Sequence, residues 1–172
     1  MRELILFRHA KSSWTDLSLD DHDRPLNARG RQAAPTMGAF MRENAITPDL
    51  ILCSTSVRTR ETLALAFPGP EEKRSPVIFT EEIYEAPPGV LMACVQTVDD
   101  SVRSLMVLGH NPGSQMLALQ LAATGEGDAL RRLSGKFPTA AMARIMFEAE
   151  SWRDIPNARG HLAQFITPKQ LA

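Results

Sequence analysis

The chain has 172 residues, 44% hydrophobic and 23% charged, enough apolar sequence to bury a core without disulfide or metal staples. Nineteen Lys and Arg against twenty Asp and Glu leave a formal charge of −1, so no basic field exists to grip nucleic acid or an anionic membrane. No apolar run reaches the roughly 18–20 residues that a bilayer crossing needs, no secretory leader is visible, and Cys53 and Cys94 make neither a disulfide framework nor a zinc knuckle. A reducing cytoplasm is the expected location, and each cysteine is expected to be a small buried hydrophobe.

No repeat, low-complexity tract or linker interrupts the sequence, which predicts one domain over residues 1–172. Residues 4–7, Leu-Ile-Leu-Phe, predict a buried strand, and the polar, Asp-rich residues 12–25 predict a loop. Asn27 suits the cap of a helix whose apolar stripe is Ala33, Met37, Phe40 and Met41. Pro35 and Gly38 inside that stripe predict a kink or a late start. Residues 50–53 predict a second strand, and Ser54-Thr55-Ser56 the cap of a helix over 57–67.

Pro68-Gly69-Pro70 breaks the chain before a solvated connection over 71–75. A third strand is expected at 77–79, and Pro87-Pro88 opens a helix through Val98. Residues 105–108 predict a fourth strand. Asn111 then suits an N-cap and Pro112 a first helical residue, with that helix reaching about Ala123. Residues 125–128 read as loop, 140–147 as a strand and 162–166 as a last one. Strands alternating with helices predict a three-layer α/β/α fold, its mainly parallel central sheet covered on both faces.

In such sheets ligands bind where strands end and the next helices begin. Three polar clusters fall on such junctions: Arg8-His9, residues 54–58 and Gly109-His110-Asn111-Pro112. Arg8 or His110 taken alone reads as an ordinary surface or structural residue. Together they predict a cationic, donor-rich pocket. Arg8 and Arg58 offer planar forks that match phosphate oxygens, and the two helix starts add free N–H groups. A neutral imidazole can act there as a nucleophile.

These residues carry a family resemblance. Arg8-His9-Ala10 after an N-terminal strand resembles the Arg-His-Gly motif of the histidine phosphatase superfamily (the phosphoglycerate mutase-like fold), with Ala10 in place of glycine. Residues 54–62, Ser-Thr-Ser-Val-Arg-Thr-Arg-Glu-Thr, resemble its Ser-Pro-x-x-Arg-Ala-x-Gln-Thr segment through Ser54, Arg58 and Thr62, while Thr55, Thr59 and Glu61 depart. Gly109-His110-Asn111 falls on the second-histidine motif. Asp23-Arg24-Pro25-Leu26, residues 29–33, and the ending from Gly160-His161-Leu162 to Thr167-Pro168-Lys169 resemble SixA-type phosphohistidine phosphatases.

The resemblance implies a phosphoglycerate mutase-like fold and a metal-independent, cofactor-free phosphatase. His9 is then the nucleophile that forms a phosphohistidine, with Arg8, Arg58 and His110 holding the phosphoryl oxygens. Its proton donor sits in a Leu-x-Glu segment that Ile83-Tyr84-Glu85 matches loosely. Glu85 is therefore the candidate acid, with Glu82 as fallback. Arg24 is either a further phosphate contact or the partner of Asp21 or Asp23. His22 and His161 are expected to be surface or structural residues. No HExxH-type ligand spacing predicts a metal.

Only 51 residues separate Arg58 from His110, and one strand and two helices use them. That leaves little for an elaborate lid and predicts a shallow, open pocket for a phosphoryl group on a protein surface, such as a phosphohistidine-bearing histidine phosphotransfer domain or phosphocarrier. The alternatives are a small-molecule phosphomonoesterase of the same superfamily and a non-catalytic phosphate-recognising module.

Overall fold

Along the first strand, β1 (Arg2–Arg8), Leu4 and Leu6 join one apolar cluster while Ile5 and Phe7 join another, and all four are fully buried. A strand apolar on both faces must lie inside a sheet covered on both sides. The computed structural model describes residues 1–172 and places β1 there. The chain continues through α1 (Ala28–Glu43), β2 (Leu50–Ser54), α2 (Val57–Ala66), β3 (Val77–Thr80), α3 (Pro88–Gln96), β4 (Ser104–Gly109) and α4 (Gly113–Leu121). It closes with β5 (Ala122–Gly125), α5 (Ala129–Gly135), β6 (Met142–Phe147) and β7 (Gly160–Ile166).

The seven strands form one sheet in the order β3-β2-β4-β1-β6-β7-β5. Only β6 runs against the rest, pairing antiparallel with both β1 and β7. Met37 and Met41 of α1 and Leu63 of α2 cover one face with Ile5, Phe7 and Ile51. Leu91 of α3, Leu117 of α4 and Leu133 of α5 cover the other with Leu4, Leu6 and Val107. The mainly parallel three-layer α/β/α fold is as the sequence predicts.

Several boundaries differ, each for a local reason. α1 starts directly after Asn27, whose side chain accepts from the Gly30 N–H, and continues through Pro35 without a break. Gly38 is there for contact, since a Cβ would come within 1.9 Å of the Ala66 carbonyl oxygen of α2. α3 ends at Gln96 rather than Val98, and β7 starts at Gly160 rather than Leu162. The last parallel helix, α4, begins one residue after Pro112 and stops at Leu121. Asn111 still serves it by accepting from the Gln115 N–H. β6 starts at Met142 because Ala140 has φ +61°, a left-handed backbone that no strand uses. β5 and α5 are additions: Ala-Ala-Thr-Gly has no alternation to mark a strand, and its pairing with β7 defines it.

Candidate active site

Parallel pairing of β1 with β4 sets Arg8 opposite Gly109, so His9 and His110 leave the sheet side by side. The His9 backbone is pinned twice, donating to the Gly109 carbonyl and accepting from the Ala140 N–H. The imidazole rings lie with centroids 5.2 Å apart. His9 Nδ1 is 2.7 Å from the Ala10 carbonyl oxygen, an acceptor only, so Nδ1 carries the proton and Nε2 keeps its lone pair. The small Ala10 is fully buried, and its N–H donates to Thr62 Oγ1, tying the Arg8-His9 segment to α2.

Arg58 enters from the first turn of α2, which Ser56 caps by accepting from the Thr59 N–H. Its guanidinium lies 2.7 Å from Glu85 Oε1, 3.0 Å from Asp21 Oδ2 and 3.3 Å from His110 Nδ1, and it also donates to the Asp21 carbonyl. Arg8 donates to the Phe137 carbonyl. Arg8 and Arg58 each keep a buried Nε–H without an acceptor. Buried donors without a partner are uncommon, and an anion bound between these two side chains would satisfy them. His110 Nε2 meets Ser54 Oγ at 2.8 Å, at the end of β2. Four junction residues thus converge on one corner of the sheet, at the C-terminal ends of its parallel strands.

Glu85 also comes here, 3.6 Å from His110 Nδ1, on a backbone with φ +50°. A non-glycine residue in that region costs free energy, and such positions cluster at functional sites. Glu82 does not join them: it accepts from the Cys94 thiol on the far side of the turn. Arg24 resolves toward its ion-pair alternative. Its Nε and one terminal nitrogen grip Asp21 Oδ1 at 3.1 and 2.9 Å, and its flat face covers the exposed Trp14 ring at 3.5 Å. His22 stands 2.9 Å from Thr55 Oγ1 and packs edge-on against Tyr84, while His161 pairs with Glu126 and Thr124 at the sheet's far edge.

The open pocket expected from the short segment between Arg58 and His110 is not what forms. His9 is 7% exposed, Arg58 2% and His110 3%. The cover comes from the 12–25 segment, whose 3₁₀ turn at Asp21–Asp23 sets Asp21 on Arg58, and from Tyr84, edge-on to His110 at 5.4 Å with its hydroxyl donating to Asp21. The sequence suggests Asp21 only as a partner for Arg24, which it is, and Tyr84 only as a neighbour of Glu85; neither is expected over Arg58 and His110. The spacing of Asp21 and Arg24, three residues apart, was the available signal.

Burial, then the neighbouring Arg58, Arg8 and Arg24, pushes His9 down to about 3, against the helping Ala10 carbonyl. Burial, His9 and Arg58 push His110 down to about 2. Burial opposes the charge on Asp21, but Tyr84, Arg24 and Arg58 outweigh it and hold its carboxyl well below the usual range. Burial and Asp21 raise Tyr84 to about 12, keeping it a donor. Both histidines are therefore neutral at neutral pH. Below the unfolded value of 6.5 the unfolded chain binds their protons more readily than the folded one. Their stabilisation is complete above pH 6.5 and is lost as pH falls toward about 3. Thermal midpoints measured between pH 7 and 4 should fall with acid, and His9→Asn, which removes one of these groups, should flatten the slope. An equal slope in both proteins would contradict the burial of a neutral His9.

No group of three or more His, Cys, Asp or Glu is arranged to hold a metal ion, and no helix is long and apolar enough to cross a membrane. Comparison with known proteins gives this corner a lineage. Residues 4–110, which span the strand before Arg8 through His110, match the family model of the histidine phosphatase superfamily (branch 1). The chain belongs to the histidine phosphatase superfamily. An uncharacterized protein of Mycobacterium tuberculosis is 38% identical over 164 residues, 94% of this chain and 99% of that one. Among solved structures, a SixA phosphohistidine phosphatase candidate from Nakamurella multipartitia is 27% identical with a TM-score of 0.84, covering 97% of this chain and 96% of its own. Another, from Agrobacterium tumefaciens, is 26% identical with a TM-score of 0.76, covering 97% and 99%. Phosphatase is the activity class that this membership of the superfamily supports.

Proposed function

We propose that this chain is a phosphohistidine phosphatase of the SixA type that works through a covalent intermediate on His9. The observation that carries the reading is the His9 ring, with Nδ1–H fixed on the Ala10 carbonyl and Nε2 free beside Arg8, Arg58 and His110. Nε2 attacks phosphorus, the bond to the leaving group breaks, and the phosphoryl group is held on His9. Water then attacks phosphorus, the N–P bond returns its electrons to Nε2, and inorganic phosphate leaves. Arg8, Arg58 and His110 hold the equatorial oxygens, on which the charge of such transition states is spread. Arg24, tied to the same Asp21 as Arg58, borders that anion site.

Glu85 bears on the substrate class. Its carboxylate accepts from Arg58 at 2.7 Å and lies 3.6 Å from His110 Nδ1, beside the anion site. An imidazole leaving a phosphohistidine asks for little acid help, whereas an alkoxide asks for much. The likeness to SixA phosphohistidine phosphatase candidates at 27% and 26% identity supports the first of these. The substrate is then a phosphohistidine on a protein.

Glu85 also favours a second reading, a small-molecule phosphomonoesterase, since an acid at that place serves alkoxide departure. Glu85→Gln separates them. It should cost roughly 10²–10⁴-fold on a phosphate monoester if Glu85 donates the proton, and under tenfold on a phosphohistidine protein. The deciding assay compares phosphate release from a phosphohistidine protein with a panel of phosphate monoesters. Faster release from the panel would overturn the phosphohistidine reading.

A further inference from the structure

Asp21 accepts five hydrogen bonds from side chains, four of them from Arg24 and Arg58. Oδ1 accepts two bonds from Arg24, Oδ2 accepts from Arg58 and from the Tyr84 hydroxyl, and its backbone carbonyl accepts a second Arg58 bond at 2.8 Å. Arg58 spends both arms of a fork that suits phosphate oxygens on this one residue, Nη1 on its carbonyl and Nη2 on its Oδ2. Asp21 thus stands on the donors that a phosphoryl group requires, one turn of 3₁₀ helix away from Arg24.

We propose that Asp21 is a specificity-determining residue, an internal anion that competes with phosphate for Arg58 and Arg24 and so weakens the hold of this site on free phosphate and on small phosphate esters. The inference rests on the reading of Arg58 as a phosphate ligand, and it extends that reading to what the site rejects. Three guanidinium groups, those of Arg8, Arg24 and Arg58, face the two carboxylates of Asp21 and Glu85, and the two histidines are neutral. One positive charge remains to receive a phosphoryl dianion. Without the Asp21 carboxylate there would be two, and Arg24 would lose the oxygen that takes both its Nε and a terminal nitrogen.

A small anion brings nothing but its oxygens to set against that competition. A phosphorylated protein brings surface as well. The segment that carries Asp21 also presents Trp14, 62% exposed, and Leu17, 89% exposed, and Trp14 lies flat on Arg24. Contact with this segment is mechanically linked to Asp21 through Arg24. A macromolecular substrate can therefore offset the displacement of Asp21 with contacts that inorganic phosphate lacks.

The alternative is that Asp21 merely orients the two arginines, and the two roles predict opposite signs. Titration calorimetry with inorganic phosphate should show Asp21→Asn binding at least about tenfold more tightly than wild type, from one fewer like charge and a freed charge-assisted donor. Its kcat/KM on p-nitrophenyl phosphate should rise by a similar factor and by a smaller one on a phosphohistidine protein, so that the preference between the two substrates narrows. Asp21→Glu, which keeps the charge, should stay within about threefold of wild type for phosphate. Tyr84→Phe supplies a second test that does not depend on the Asn variant folding: it loosens Asp21 without removing charge and should tighten phosphate about two- to threefold. Unchanged or weaker phosphate binding in Asp21→Asn, or weaker binding in Tyr84→Phe, would overturn the proposal. Tighter phosphate binding in a protein that hydrolyses nothing would uphold Asp21 as the competitor and overturn the catalytic reading instead.

Discussion

His9→Ala should leave a folded protein that neither turns over substrate nor accepts a covalent phosphoryl group. His9 supplies the only unengaged imidazole nitrogen among the site histidines, because His110 is engaged at both, by Arg58 and by Ser54. No neighbouring side chain can take over the attack: Thr62 donates to the Arg58 carbonyl, and Tyr84 is held as a phenol by its contact with Asp21. Loss of a nucleophile removes the two-step route altogether, so rates should fall by roughly 10⁴-fold or more. The anion donors stay, and phosphate should still bind. Acid-labile phosphate, trapped by rapid quenching of the wild-type protein and absent from the variant, checks the point. A labelled His9→Ala protein would move the nucleophile elsewhere.

Arg58→Ala should be nearly as damaging, by a different route. The side chain makes contacts to Asp21, Glu85 and His110 from a position only 2% exposed, and its loss leaves two carboxylates facing the phosphate position. Two charge-assisted bonds of about 1.5–3 kcal/mol each give roughly 10²–10⁴-fold in kcat/KM. Phosphate affinity should fall with it, because the lost bonds serve the ground state as well as the transition state. Arg58→Lys should recover little, since a point charge cannot address two oxygens with one planar fork. The effect on thermal stability should be much smaller, because Asp21 and Glu85 are about half exposed and their ion pairs are screened. Steady-state kinetics beside thermal unfolding would separate the two, and parallel collapse of both would mark Arg58 as structural.

Much of this corner was legible because each of its residues sits at the end of a strand. A short apolar run followed at once by Arg-His, by Ser-Thr-Ser or by Gly-His fixes both an element and a position at its end, and parallel pairing then gathers the ends. Arg8, His9, Arg58 and His110 converge for that reason, whereas Glu85 was read from the family resemblance alone. Less legible was whatever depended on long-range packing. β5 is defined by its pairing with β7 and not by its own four residues. Pro35 is accommodated inside α1, which local propensity would not predict. Asp21 was legible as a partner of Arg24 but not as a contact of Arg58, and the Tyr84 that meets it there lies 63 residues away. Hence the pocket was expected open and is covered.

The placement of β1 between β4 and β6 has a consequence for biosynthesis. Among these seven strands the first in chain order is also the central one, and its side-chain hydrogen bond from Ser104 to Glu3 bridges 101 residues. During translation Leu4, Ile5, Leu6 and Phe7 emerge with neither neighbouring strand yet made, and β6 follows only at Met142–Phe147. Contacts this distant in sequence slow folding, and an unpaired apolar strand is a site for association between chains. The nascent chain therefore carries an unpaired apolar segment until β4 and β6 are made. His9, whose backbone is pinned by Gly109 and Ala140, has no working geometry until Ala140 has left the ribosome.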